Sequence, residues 1–204
     1  MWYKMWYKKM HEYIKPKEGS RFKLWIQELN SRDHFYEMLC NGIKAGTYVI
    51  LTDKEKHECV MSDTQMEQHT NLEFVREAHG KVLIGGLGIG MVLLAIQDKP
   101  AVTDITVVEK YQEVIDLVKP QLPLNSKVKV VCADIFDYEP TEKYNTIYLD
   151  IWNNAGRREI YEKEQRPLRM RYRKYLVPKS EDEQRYINCW MYEANRKGYF
   201  NWGY

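Results

Sequence analysis

Short apolar runs alternate with amphipathic stretches between residues 80 and 152. The runs have the length and β-branched composition of strands, and helical spacing follows the first two of them. The pattern predicts strands over 81–86, 104–110, 127–134 and 144–150, with helices over 91–97 and 111–118. Strands that alternate with helices at this spacing form βαβ units, and hence a parallel sheet. The near-continuous apolar strands favour a sheet covered by helices on both faces.

The chain opens with the tetrapeptide MWYK repeated twice. As a helix, this repeat places Trp2 over Trp6 and Tyr3 over Tyr7, since residues four apart share a helix face. We expect the aromatic face to pack on the domain or on another subunit, which makes it a candidate homo-oligomer contact. Contact with a membrane surface or a nucleic acid is the alternative.

Three weaker patterns precede the α/β core. Residues 20–40 predict two helical segments, the second capped by Ser31. Two β-rich runs, Thr47–Leu51 and His57–Met61, flank the polar turn TDKEK and predict a hairpin. A short helix is expected over 72–79.

The last fifty residues do not continue the alternation of strands and helices. RPLRMRYRKYLVP predicts a very basic helix over 166–178, and the capping-box pair Ser180 and Glu183 predicts a second helix that Gly198 ends. The fold class is therefore α/β, with a Rossmann-like parallel sheet, N-terminal helices plus a hairpin, and a helical C-terminal tail. The expected organisation is one compact domain built from segments 1–79, 80–152 and 153–204.

The composition is that of a globular protein. Of 204 residues, 44% are hydrophobic and 29% charged, and the net charge of +2 does not by itself indicate a nucleic-acid partner. No apolar run reaches the ~18 residues of a membrane helix, and the start lacks a signal-peptide pattern. The four cysteines form no CxxC pair, so we expect reduced thiols in the cytoplasm, with Cys132 buried. The histidines lack metal-ligand spacing, so no metal is expected.

The sequence VLIGGLGIG, residues 82–90, forms a glycine-rich turn directly after the first predicted core strand. A P-loop needs Lys and Ser or Thr after its last glycine, whereas Gly90 is followed by Met91 and Val92. The dinucleotide fingerprint GxGxxG also fails, because Met91 occupies the place of its third glycine. What remains is a GxGxG turn at a helix N-terminus, where backbone N–H groups can meet a ligand. The alternative is that these glycines only let a helix pack closely on the sheet.

Three acidic residues follow predicted strands of the core. Glu109 ends the second strand, Asp134 the third and Asp150 the fourth. Ligands of open α/β sheets bind beyond the carboxyl ends of their strands, where an acid can accept hydrogen bonds from ribose hydroxyls. Any one of them alone is equally a solvated loop acid, but their common register with the glycine turn indicates a nucleoside-containing ligand.

Residues 61–152 resemble the class I S-adenosylmethionine-dependent methyltransferases, and among them the spermidine-synthase-like branch. The matching motifs are VLIGGLGIG, VVEK, CADIFDY and YNTIYLDIW. MSDTQMEQHTN resembles that branch's approach to its site. The resemblance implies S-adenosyl-L-methionine as cofactor, with these residues around it: Gly86, Leu87, Gly88 and Gly90 at the methionine part; Glu109 and Lys110 at the ribose; Asp134 and Ile135 at the adenine; and Asp150 at the reacting end. It also makes Gln65, Glu67, Trp152 and Asn153 candidates for contact with the substrate.

The chain departs from the family pattern in two places. No clear fifth, sixth or seventh strand follows Trp152, so the sheet is expected to be truncated and its edge covered by helices or a second subunit. Where polyamine synthases carry acids that hold an amine, this sequence has IWNNAGRR. Arg157 and Arg158 would serve a cationic acceptor poorly, which argues against aminopropyl transfer and for a polar acceptor that is neutral or anionic.

Methyl transfer to an unidentified polar acceptor is the reaction that these motifs favour. Asp150 is the candidate base or acceptor anchor, and its alternative role is to bind the cofactor. Residues 157–179 carry nine basic and three acidic residues, so the acceptor is a small molecule or, if this segment tracks phosphates, a nucleic acid. A solvated helix face is the plainer interpretation. Binding of the cofactor without transfer is the main functional alternative, and aminopropyl transfer the weaker one.

Overall fold

The computed structural model describes residues 6–30 and 43–199, which form two β-sheets and their connecting helices. The first sheet is antiparallel, in the order β1-β2-β3-β4. Its strands are β1 Lys17–Glu18, β2 Phe22–Leu29, β3 Gly46–Asp53 and β4 Glu58–Ser62. The hairpin of β3 and β4 confirms the sequence prediction. The helix expected after Ser31 lies outside the described residues.

Residues 22–29 form strand β2, so the helix predicted for the start of 20–40 is wrong. The apolar residues of this stretch fit a helical period through Phe22, Trp25, Ile26 and Leu29, but they also alternate as a strand does. Pairing decides between the two, because β2 lies along the whole of β3, from Phe22 opposite Asp53 to Leu29 opposite Gly46. Its backbone groups are satisfied by neighbouring strands rather than within a helix.

The first residues of the described chain pack on the domain. Trp6 and Tyr7 lie in a turn rather than a helix, and a 3₁₀ turn follows at Met10–Glu12. The ammonium of Lys99 lies 4.9 Å from the centroid of the Trp6 ring, and Tyr7 is buried. These two aromatic residues therefore contact their own chain. Trp2 and Tyr3 lie outside the described residues.

The second sheet is parallel, in the order β7-β6-β5-β8-β9. Its strands are β5 Gly80–Gly85, β6 Val102–Glu109, β7 Val128–Cys132, β8 Thr146–Leu149 and β9 Tyr186–Cys189. The helices around it are α1 Gln65–Thr70, α2 Leu72–Glu77, α3 Met91–Ile96, α4 Gln112–Val118, α5 Arg158–Ile160, α6 Arg166–Tyr172 and α7 Tyr192–Lys197. The Rossmann-like α/β class and the predicted elements of the core are confirmed. Cys132, at the end of edge strand β7, is exposed and not buried as expected.

The strand order reverses at β5, which lies between β6 and β8. Both neighbours are parallel to β5, so the carboxyl ends of all three strands meet at one edge of the sheet. A reversal of this kind leaves a crevice beyond the strand ends, where open α/β sheets bind ligands. The fold thus sets the position of a site before any side chain is considered.

The parallel sheet has a fifth strand, so the expectation that it stops after four is wrong. Residues 186–189 pair with β8 from Tyr186 opposite Thr146 to Cys189 opposite Leu149. The tail helix predicted from Ser180 therefore exists only at its end, as α7, which stops at Gly198 as predicted. Ile187 and Cys189 of β9 are buried, and this apolar contact with the core favours the strand over a helix.

The basic tail begins with a helical segment that packs on the loop after β7. α5 continues through a π-helical turn, Tyr161–Gln165, into α6, and the predicted basic helix is confirmed. Tyr172 at the end of α6 is fully buried, and its hydroxyl donates to the carbonyl oxygen of Ile135 at 2.8 Å. The carbonyl oxygen of Tyr138 lies 3.0 Å from the same hydroxyl. This bond fixes the loop that carries Asp134 and Ile135.

Removing the Tyr172 hydroxyl should destabilise the fold. Tyr172→Phe removes the single O–H donor here and leaves the buried Ile135 carbonyl oxygen without its hydrogen bond, so the free energy of unfolding should fall by about 1–2 kcal/mol. Urea denaturation followed by circular dichroism measures it. The matched control is Tyr175→Phe, which should change the stability little. The Tyr175 ring lies 5.8 Å from that of Tyr172, tilted against it, and is only partly buried. Equal effects of the two variants would contradict the role given to this hydrogen bond.

Candidate active site

A cavity of about 260 Å³ lies at the carboxyl edge of the parallel sheet, where the strand order reverses. This volume is close to the ~300–1,000 Å³ of small-molecule sites. Residues predicted to bind the cofactor line it: Gly86, Leu87, Gly88, Glu109, Lys110, Asp134, Ile135 and Asp150. The folded chain therefore brings the ends of β5, β6, β7 and β8 to one cavity, as the sequence motifs indicated.

The glycine turn after β5 allows two backbone segments to touch. Gly86 has a φ of +98°, and a Cβ there would lie 2.2 Å from the carbonyl oxygen of Asp150. Only glycine fits this contact. Gly90 differs from the other predicted turn residues, because it does not line the cavity. It precedes α3 in a left-handed conformation, and a Cβ there would meet Leu122 at 2.3 Å. Gly90 thus serves close packing, the structural alternative considered for this turn.

Glu109, the last residue of the neighbouring strand β6, holds the glycine turn by a hydrogen bond. Its carboxylate accepts the backbone N–H of Leu87 and that of Tyr111, both at 2.9 Å. Burial raises the pKa of the Glu109 carboxyl, while these backbone donors oppose the shift. Because a carboxylate has about four lone-pair positions, two acceptor positions remain for hydroxyl groups in the cavity. The arrangement can hold a ribose while fixing the loop beside it.

Asp134 and Lys110 form an ion pair at the far side of the cavity. The Lys110 ammonium lies 2.8 Å from Asp134 Oδ2, and the backbone N–H of Phe136 donates to Oδ1 at 2.9 Å. Burial is the largest single influence on Asp134 and opposes its ionisation, but the hydrogen bonds from Lys110 and the Phe136 N–H, with the charge of Lys110, together lower the pKa of the carboxyl. Ile135 beside it is buried and contributes an apolar surface. A charged acceptor next to an apolar wall suits a purine base.

Asp150 and Glu67 place two carboxyl groups at the other end of the cavity. Asp150 follows β8, whereas Glu67 comes from α1, before the parallel sheet begins. Burial raises the pKa of Asp150 to about 7. Burial, with the nearby charge of Asp150, raises the pKa of Glu67 to about 8. Groups whose pKa values lie near neutrality are suited to accept and release protons.

Of the other predicted substrate residues, Trp152 and Asn153 line the cavity and Gln65 does not. The Trp152 indole N–H donates to Glu164 at 2.8 Å, which holds the ring against the cavity. The Gln65 side chain instead bonds the hydroxyl of Tyr48 at 2.8 Å. Gln65 therefore supports the antiparallel sheet rather than the site.

The arginines that argued against a cationic acceptor lie outside the cavity. Arg157 and Arg158 are exposed, and Arg158 pairs with Glu162 at 2.8 Å on the helix surface. The residues that do face this end of the cavity include the acids Glu67, Asp150 and Glu164. The expected preference for a neutral or anionic acceptor thus loses its structural basis.

Several cavity residues could not be identified from sequence motifs. Phe22 and Asp53 belong to the antiparallel sheet, and Trp190 follows β9. Arg21 holds Asp53 in a salt bridge of 2.7 Å and lowers the pKa of that carboxyl. These residues are distant in sequence from the glycine turn, and only the packing of the two sheets brings them to the site.

Much of the basic tail is bonded within the chain. Lys163 pairs with Glu159 at 2.7 Å, and Arg171 donates to the carbonyl oxygen of Phe136. Arg169 donates to the carbonyl oxygen of Ile187 at 3.1 Å and lies over a tyrosine ring. These contacts favour a structural role for the segment over a phosphate-binding one. In the described ranges, no helix is long and apolar enough to cross a bilayer.

No protein-family model and no curated protein matches the chain. Among solved structures, the plantazolicin methyltransferase BpumL in complex with SAH aligns over 53% of this chain and 39% of its own, at 22% identity and a TM-score of 0.37. The N-methyltransferase NodS from Bradyrhizobium japonicum WM9, in complex with S-adenosyl-L-homocysteine, aligns over 57% and 59%, at 18% identity and a TM-score of 0.43.

A DhpI–SAH complex aligns over 55% of this chain and 52% of its own, at 18% identity and a TM-score of 0.43. In each of these alignments, the chain spans less than two thirds of the matched structure. Similarity at this level does not place the chain in any one of these families.

Replacing Glu67 should change how stability depends on pH. The folded-state pKa of Glu67, about 8, lies above the ordinary value of 4.5. The stability that its neutral form contributes is therefore complete below about pH 4.5 and is lost as pH rises through about 8. Relative to the wild type, Glu67→Gln should gain on the order of 4 kcal/mol between about pH 5 and about pH 9.

Thermal and urea unfolding across this pH range measure the difference. A buried amide without partners adds a penalty that does not vary with pH. The quantity to compare is therefore how the free energy of unfolding changes with pH, not its value at one pH. Glu73→Gln, at an exposed position on α2, is the matched control and should follow the wild-type curve. Parallel curves for wild type and Glu67→Gln would show that Glu67 ionises as it does in water.

Proposed function

We propose that this protein is an S-adenosylmethionine-dependent methyltransferase. The observation that carries the proposal is the hydrogen bond between the Glu109 carboxylate and the backbone N–H of Leu87, which sets an acid and a glycine turn side by side in one cavity. This pair suits a nucleoside whose other end carries an amino-acid group. The motifs of the class I methyltransferases in this sequence support the same ligand.

The residues present fit this cofactor in type and order along the cavity. Asp134 and Ile135 would hold the adenine, Glu109 the ribose, and the turn at Gly86 the methionine part. Bound there, S-adenosylmethionine supplies an electrophilic methyl group. Asp150 lies beside the turn, because its backbone N–H donates to Gly85 at 2.8 Å. The protein thus fixes a carboxyl group at the end of the site where transfer takes place.

Two tryptophans line the end of the cavity at which Asp150 lies. Trp152 and Trp190 are both less than a tenth exposed, and their indole N–H groups donate to Glu164 at 2.8 Å and to Thr70 at 3.0 Å. Fixed aromatic walls exclude water and orient an acceptor, and orientation contributes most to a displacement reaction. The presence of these aromatic walls in the same cavity as Asp150 supports transfer over binding of the cofactor alone.

The acceptor is proposed to be a small molecule rather than a nucleic acid. Side chains from both sheets line the cavity, which is of small-molecule size, and several cations of the basic tail make intramolecular contacts. A relationship to the spermidine-synthase-like branch stays a hypothesis that its sequence motifs support. Since Arg157 and Arg158 lie outside the cavity, their charge no longer argues against an amine.

Glu109→Gln should weaken cofactor binding without unfolding the protein. The amide keeps one acceptor oxygen but loses the charge, and hydrogen bonds to charged groups contribute about 1.5–3 kcal/mol. The dissociation constant for S-adenosylmethionine should rise at least about tenfold in calorimetric titration. Glu142→Gln, on an exposed ion pair with Lys81, is the control. Unchanged affinity in Glu109→Gln would refute the assignment of this acid.

Asp150→Asn should separate binding from turnover. The substitution keeps the shape of the side chain but removes its capacity to take a proton, so transfer should fall by ~10²–10⁴ if Asp150 is the base. Cofactor affinity should change little. The assay is incorporation of a labelled methyl group into small molecules of a cell extract, with the exposed Asp137→Asn as control. Full incorporation by Asp150→Asn would assign this acid a structural role.

If wild-type protein binds the cofactor but labels no molecule of the extract, binding without transfer becomes the better description.

A further inference from the structure

We propose that the π-helical turn Tyr161–Gln165 shapes the acceptor site for an aromatic small molecule, with Glu164 and Gln165 as positioning residues. The inference rests on the proposed function and deepens it, because it names the class of methyl acceptor. Each of these two neighbours holds one of the tryptophans that line the cavity. Neither of them lies in the motifs that define the cofactor site.

The sequence after the turn favours its wide shape. Pro167 lies in the first turn of α6 and has no backbone N–H, so it cannot donate a hydrogen bond to the turn before it. The chain forms a π-helical turn here between two α-helical segments. Such turns are rare and are frequent at functional sites. This turn carries two consecutive side chains, Glu164 and Gln165, that both reach the tryptophans of the cavity.

Glu164 fixes the first tryptophan by its side chain. Trp152 follows β8 in a segment without regular secondary structure, so no strand or helix holds its backbone. Its indole N–H donates to the Glu164 carboxylate at 2.8 Å, and both side chains line the cavity. An indole has this one donor and no acceptor. The Trp152 ring therefore presents carbon and π surface to a ligand.

Gln165 fixes the second tryptophan through its backbone. The side-chain N–H of Gln165 donates to the carbonyl oxygen of Trp190 at 2.8 Å. This carbonyl belongs to the peptide unit that joins Trp190 to Met191, and Met191 has a left-handed φ of +53°. Such a conformation is uncommon for a residue other than glycine and persists where its surroundings hold it. The bond from Gln165 holds this peptide unit, and with it the position of the Trp190 ring.

The burial of Gln165 supports this dedicated role. Its side chain is fully buried, and within the described ranges its Oε1 atom has no hydrogen-bond partner. A buried amide with an unsatisfied oxygen costs stability, so packing alone would favour an apolar side chain here. The hydrogen bond to Trp190 accounts for the polar residue.

Two rings with bonded N–H groups favour an aromatic acceptor. The Trp190 indole N–H donates to Thr70 at 3.0 Å, as that of Trp152 does to Glu164, so both donors are already used within the chain. Recognition by the two indoles then depends on their ring surfaces. Contacts between aromatic rings stabilise a complex beyond what the buried area contributes. We therefore expect an aromatic acceptor to bind better than a saturated one of the same size.

A pair of matched probes tests this specificity by binding alone. Benzyl alcohol and cyclohexylmethanol share one carbon skeleton, and the saturated probe is at least as apolar. Burial of apolar area by itself therefore gives no preference for the aromatic probe. In NMR titrations with S-adenosyl-L-homocysteine at saturation, benzyl alcohol should bind about two- to tenfold more tightly.

Substitutions in the turn test the positioning. Glu164→Leu removes the acceptor of the Trp152 N–H and should abolish the preference, whereas Glu164→Gln keeps an acceptor oxygen and should retain most of it. The indole N–H resonance of Trp152, assigned with Trp152→Phe, should move upfield in Glu164→Leu and stay near its wild-type position in Glu164→Gln. Glu162→Leu, at an exposed position of the same turn that pairs with Arg158, is the control and should change neither quantity.

Gln165→Leu removes the donor to Trp190 and should also lose the preference. The inference is overturned if the wild type binds neither probe or both equally, if the preference persists in Glu164→Leu or in folded Gln165→Leu, or if Glu162→Leu loses it as well. Should Gln165→Leu not fold, the two Glu164 variants decide alone.

The same titrations separate this inference from the proposed function. Binding of S-adenosyl-L-homocysteine with no aromatic preference refutes only the role of the turn. If S-adenosyl-L-homocysteine does not bind, the proposed function is refuted, and titration of the two probes without it still decides whether the turn positions an aromatic site.

Discussion

The site depends on one close contact between two backbone segments, at the ends of β5 and β8. The N–H of Asp150 donates to the carbonyl oxygen of Gly85 at 2.8 Å, and Gly86 leaves no room for a Cβ against the carbonyl oxygen of Asp150. Because the strand order reverses at β5, this contact closes the base of the crevice. It fixes the distance between the glycine turn and the backbone of Asp150 without relying on flexible side chains.

Acids in the cavity fall into two classes that differ in their partners. Glu109 accepts two backbone N–H groups and Asp134 is paired with Lys110, so both are committed to holding the site together and presenting acceptors. Glu67 and Asp150 have no such donors within the described residues, and burial raises the pKa of each. Its partners thus keep Asp134 ionised, whereas burial favours the neutral forms of Glu67 and Asp150.

Two errors in reading the sequence have one physical cause. Residues 22–29 and 186–189 both carry apolar side chains at positions that suit a helix and a strand equally. Each becomes a strand because a neighbouring strand satisfies its backbone, β3 in the first case and β8 in the second. The second error hid the fifth strand of the parallel sheet. The sequence of a short apolar run does not specify which strand it will pair with. The local pattern alone therefore could not distinguish helix from strand in either segment.

The sequence by itself determined the parallel core, the glycine turn and the acids that follow its strands, because period, turn residues and strand ends are local properties. Glu109, Asp134 and Asp150 could therefore be placed at one edge before any coordinates were known. Only the tertiary structure decided that Glu67 lies in the same cavity as Asp150 and that Arg157 and Arg158 lie outside it. Charge at the Asp150 end of the cavity depends on contacts between segments more than 80 residues apart, which follow from tertiary packing rather than from any local pattern.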